Sequence, residues 1–191
     1  MLFNSVQYAI FLIVVFFGFW ALLRLHLNRT LFLLAASYFF YANWNPYYLI
    51  LIFLSSSLDF TLGMQISKTT DPITRKWLLA GSIVFNLGVL CTFKYFNFFS
   101  QSVATLIAKS FGVEVEPLYL GVLLPVGISF YTFQSMSYTI DVYRRRLDAE
   151  KSYFRYLLFV SLFPQLVAGP IVRASHFLPQ LAKAPRLSVE Q

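Results

Sequence analysis

The sequence predicts an all-α polytopic membrane protein, with about five to six membrane-embedded helices and some broken or re-entrant segments. Three observations predict it. The first is composition: the 191 residues are 58% hydrophobic, 19% aromatic and only 12% charged, with a mean hydropathy of +0.66. A soluble domain is about half apolar and a quarter charged. Charge this scarce cannot cover a water-soluble globule, so lipid must solvate most of the surface. The second is run length, because about 20 apolar residues cross a hydrocarbon core of ~30 Å as a helix. The third is the placing of the basic residues. They punctuate apolar runs, so the formal charge of +7 reads as a topology signal and not as a nucleic-acid surface.

The elements follow in order. Val6–Leu23 is a first span that leads straight into "RLHLNR". It has neither a basic leader before it nor a small-residue cleavage site after it, so it is a retained helix and not a cleaved signal. Leu31–Asn43 is a short helix that cannot span upright, and "NWNP" follows it. Tyr47–Ile66 is a third helix. Beyond the polar loop "SKTTDPITRK" comes a fourth, Trp77–Phe93. "FKYFNFF" opens an aromatic stretch to Phe111, an interfacial or re-entrant helix in which Lys94 snorkels. "GVEVEP" is a turn, and a long helix, Tyr119–Tyr143, runs from there to Arg144–Arg146. Leu157–Val172 is apolar but interrupted by Pro164, Gly169 and Pro170. Residues 1–191 read as part of one membrane domain.

Orientation follows from charge. With the N-terminus outside, Arg24, Arg29, Lys68, Arg75, Lys76, Arg144, Arg145, Arg146, Lys151 and Arg155 all face the cytoplasm, ten of the fifteen basic residues. Glu114 and Glu116 then fall outside. The interruptions matter too, since unpaired backbone in hydrocarbon costs several kcal/mol and survives only against protein or a watery cavity. Pro125–Gly127, Pro164 and Gly169–Pro170 are such places, so the fold is expected to turn inward around a cavity.

Chemistry-bearing residues are few. In "LLPVGISFYTFQSMSYTIDVYRRR", Gln134, Tyr138, Asp141 and Arg145 recur at spacings of four, three and four, on one helical face. They either line a cavity or bond neighbouring helices. Asp59 is the acid set well inside an apolar span, either a functional carboxylate or a structural partner of Ser or Tyr nearby. His26 and His176 are the histidines, and neither sits at ligand spacing with another metal-binding residue, so no metal site is indicated. Cys91 is the single cysteine, which excludes an internal disulfide. Neither a nucleophile elbow nor a Gly-rich phosphate loop is present.

"LLPVGISFYTFQSMSYTIDVYRR" followed by "FVSLFPQLVAGPIVR" resembles the membrane-bound O-acyltransferase superfamily, in its alginate O-acetyltransferase-like branch. "MLFNS", "LLAASYFFYANWNP" and "WLLAGSIVFNLGVLCTFKYFNFF" fit the same branch. The resemblance implies a ring of helices around a central funnel in the bacterial cytoplasmic (inner) membrane. It implies transfer of acetyl, or another acyl group, from a cytoplasmic thioester donor such as acetyl-CoA. The acceptor would be an exopolysaccharide such as alginate, reached through an extracytoplasmic acetyltransferase partner. No metal or resident cofactor is implied. The family's catalytic histidine belongs to its C-terminal half and is expected beyond Gln191, so no residue here takes that role and this stretch alone is expected to be inactive. Tyr131, Gln134, Tyr138, Asp141, Gly169, Pro170 and Arg173 are the expected funnel-lining or donor-entrance residues. A transporter or flippase, or a non-catalytic scaffold, are the alternatives.

Overall fold

The computed structural model describes residues 5–24, 28–113, 115–121, 123–169 and 172–182. Among them every regular element is helical. α1 (Val6–Arg24) shows Val6, Ile10, Val14 and Phe17 on its outside, while Phe11 and Val15 pack with Phe40 and Phe163. α2 (Arg29–Ala42) starts where the Asn28 carboxamide accepts the Leu31 N–H at 3.3 Å. At 14 residues it is about 21 Å long, too short to cross upright. α3 (Tyr48–Lys68) has the length and apolarity to span.

α4 (Pro72–Leu90) opens on an Asp71 cap, with Pro72 in the first turn, where a missing N–H costs nothing. It does not end where Trp77–Phe93 was expected to end. A π-helical turn (Cys91–Tyr95) carries it into α5 (Phe96–Phe111), giving a continuous helical stretch of 40 residues. Such a stretch is ~60 Å long, twice the hydrocarbon thickness, so only part of it can cross. Val6–Leu22 is apolar but shorter than these two candidate spans.

The expected helix Tyr119–Tyr143 is shorter than its apolarity suggests. α6 covers Ile128–Tyr143 only. Pro125 lacks the N–H that a helix needs and disfavours helical backbone at Leu124, and Gly127 takes a left-handed φ of 77°. The preceding chain is irregular, and side chains satisfy its backbone. Tyr41 donates to the Val126 carbonyl at 2.9 Å, Tyr48 donates to Leu123 O, and the Asn97 carboxamide bonds both the N–H and the carbonyl of Leu120. α6 ends in a Schellman motif, with Arg145 N–H on Val142 O and Arg146 N–H on Asp141 O. Arg145 therefore lies past the helix at φ 57°, off the face that spacing assigned to it, in a conformation that costs a non-glycine residue ~1 kcal/mol.

The expected broken element, Leu157–Val172, falls on the end of α7 (Tyr153–Ser161) and on α8 (Phe163–Ala168), and α9 (Ala174–Ala182) follows it. Pro164 fits the first turn of α8 but would clash with the Val160 carbonyl if α7 ran on, so the chain turns at Leu162. The core forms where α6 lies on α3 and α4, with α7 against α2 and α3. Ile52, Ile66, Tyr138, Tyr156, Phe159 and Ala174 are its fully buried members.

Candidate functional site

Two polar arrangements lie inside this core. The first centres on Asp59, 0% exposed on α3. Its carboxyl accepts hydrogen bonds from Ser82 Oγ at 2.5 Å and Asn86 Nδ2 at 2.7 Å, both on α4, and from Ser135 Oγ on α6. Ser82 also meets Thr139 at 3.0 Å, and Ser135 meets the Tyr156 hydroxyl of α7 at 2.9 Å. The carboxyl thus ties α3, α4 and α6 together, and Ser135 extends the network to α7. The sequence marked Asp59 but not its partners. A signal was there: Ser82 and Asn86, and Ser135 and Thr139, are each four residues apart in apolar helices, hence on one face.

The second arrangement joins the irregular segments to each other. Gly127 lies so close to α8 that a Cβ there would sit 2.5 Å from the Leu166 carbonyl oxygen. Ser37 accepts the Phe163 N–H at 3.2 Å, and Gln134 donates to the Phe159 carbonyl in the last turn of α7. Hydroxyls and an amide from α2 and α6 therefore satisfy backbone that lipid would leave unpaired.

The structure places the expected residues as follows. Tyr131, Gln134 and Tyr138 are buried in this packing. The Tyr131 hydroxyl has no hydrogen-bond partner among the described residues. Tyr138 OH accepts the Glu150 N–H at 3.1 Å, and its ring leans on Gly63, where a Cβ would lie 2.6 Å from it. Asp141 is half-buried in the last turn of α6. Gly169 closes α8, with its N–H on Gln165 O at 3.0 Å, and Arg173 is exposed just before α9. Pro170 lies outside the described residues, as does His26. His176 is exposed on α9. A cleft of 340 Å³ between α5 and residues 115–118 is lined by apolar groups such as Phe99, Val103 and Leu118, and none of the expected residues reaches it. Among the described residues no His, Cys, Asp or Glu cluster could hold a metal ion.

No family model and no solved structure matches the chain. Curated proteins do match. The protein named probable alginate O-acetylase in Pseudomonas aeruginosa is 41% identical over 155 residues, 80% of this chain and 29% of its own length. Its counterpart in Azotobacter vinelandii is 40% identical over 154 residues, 80% of this chain and 30% of that protein. A peptidoglycan O-acetyltransferase of Helicobacter pylori is 35% identical over 210 residues, 94% of this chain and 38% of that protein. The chain therefore spans about a third of the length of such relatives. Over that part it is similar to proteins named for O-acetylation of alginate and of peptidoglycan, in line with the resemblance its motifs carry.

Proposed function

We propose that the chain is part of a multi-pass O-acetyltransferase of the bacterial cytoplasmic membrane. It would carry acetyl from a cytoplasmic thioester toward an extracytoplasmic polysaccharide, with a soluble acetyltransferase partner on the far side. The similarity to proteins named for O-acetylation of alginate and of peptidoglycan carries this reading. In such a transfer the thioester C–S bond breaks as a C–O ester bond forms. The attacking hydroxyl gives its proton to a basic imidazole, and the thiolate leaves as the thiol once protonated. The family's C-terminal half supplies that imidazole, so His26 and His176 are not assigned to it.

The contribution of this stretch is mechanical. Its membrane-embedded helices, about five to six, form part of a ring of helices around the funnel, with Asp59 and the paired breaks stiffening the wall. Tyr131, Gln134 and Tyr138 brace that wall, and Asp141, Gly169, Pro170 and Arg173 shape the donor entrance. A narrow apolar passage also shields an activated acyl group from hydrolysis. The test uses the intact protein in membranes with labelled acetyl donor. Wild type transfers label to polymer, and Asp141→Asn lowers the rate several-fold at equal membrane abundance. Absence of transfer by the wild type rejects the enzyme, whereas undiminished transfer by the variant rejects the entrance.

A further inference from the structure

One end of the α3–α4–α6 unit carries cations that neither the packing nor the acetyl-transfer reading uses. Lys68 closes α3, Lys76 lies in the first turns of α4, and Arg144, Arg145 and Arg146 follow α6. All five are exposed. Arg75, itself buried, holds the ends together. Its guanidinium donates to Tyr143 O at 2.6 Å and Thr69 O at 3.4 Å and lies over the Tyr143 ring.

None of these five cations forms an ion pair with an acid among the described residues. Asp71 is occupied by Thr74 and Ile73 of its own helix. Glu150 pairs with Arg155 at 3.0 Å, the one ion pair among the described residues. Asp141 and Asp148 form none. Backbone geometry adds a second, independent observation. Arg145 occupies the left-handed position of the Schellman motif, where glycine is the stable choice. Strain kept at a non-glycine residue points to a use for its side chain.

The level of the rim indicates the ligand. Ile73 and Trp77, 67% and 73% exposed, stand beside Lys76 at the start of a candidate span. Exposed tryptophan at a span end marks the headgroup layer, and arginine forks match phosphate oxygens. We propose that this rim, with Arg144, Arg145 and Arg146 at its centre, binds a phosphate-bearing anion at the level of the lipid headgroups.

Anisotropy of fluorescent phosphatidylglycerol, read on the purified intact protein in mild detergent, tests this. At about fivefold per arginine near an anionic headgroup, replacing all three with glutamine weakens binding on the order of a hundredfold. Lys109→Gln, at the far end of α5, leaves it unchanged. Added pyrophosphate distinguishes the sources: displacement of the lipid identifies free phosphate as a ligand, and retention identifies the headgroup. Arg145→Gly separates the site from its structural role, because it relieves the backbone and raises the melting temperature while weakening lipid binding about fivefold. Equal lipid and pyrophosphate binding by wild type and the triple variant overturns the proposal, as does wild-type lipid affinity in Arg145→Gly.

Discussion

A carboxyl placed among apolar helices must find donors, and Asp59 finds three, from Ser82, Asn86 and Ser135. Each comes from a side chain short enough to keep the helices close. Tyrosine does the corresponding work for backbone: Tyr41 reaches across 85 residues of sequence to the Val126 carbonyl. A pair of substitutions separates a working hydroxyl from an idle one. Tyr41→Phe leaves that carbonyl unpaired and costs about 1–2 kcal/mol. Tyr131→Phe, which removes a buried hydroxyl with no partner among the described residues, is neutral or stabilising. Thermal unfolding in detergent reads both, and equal losses would refute the distinction.

The breaks decide how the elements meet. Gly127 permits both the left-handed entry into α6 and the contact with Leu166. Gly127→Ala therefore meets a backbone conflict and a steric one, together about 2–5 kcal/mol. Gly81→Ala on α4, with nothing within 4 Å of the new methyl, gains about 1 kcal/mol of helix propensity. Opposite shifts in melting temperature are expected, and a tolerated Gly127→Ala would remove the contact from the account. These are also the places where sequence patterns gave the least. The long apolar runs at α1 and α3 announced those helices within a few residues, because burial in lipid asks only for length. The start of α6 was legible only as the break at Pro125–Gly127, and not as the end of regular helix before it. "LYLGVLLPVGIS" is apolar throughout, and what keeps its first half irregular is donated from Tyr41, Tyr48 and Asn97, far away in sequence. The onward run through Cys91–Tyr95 was hidden for a similar reason, since a π turn has no breaker residue to announce it. Asp59 was legible as a candidate, and its role became clear only once α4 and α6 were placed around it.

For the molecule as a whole, the basic ends of α3, α4 and α6 and the acidic turn after α5 should face opposite compartments. In a Cys91→Ser background, Lys76→Cys should react with a membrane-impermeant maleimide only after cells are opened, and Leu118→Cys in intact, outer-permeabilised cells. Reaction of both from one side would overturn the orientation. The meeting of the two irregular stretches also governs how the protein can be made. The partners that complete Val126 and Phe163 are Tyr41 and Ser37, 85 and 126 residues earlier in the chain. A ribosome-bound chain releasing its helices singly into lipid would strand those groups in hydrocarbon. On the multi-pass proposal the early helices would wait in a sheltered, unfinished state until residues beyond Phe163 emerge, and truncation short of that point should leave a product for quality-control proteolysis.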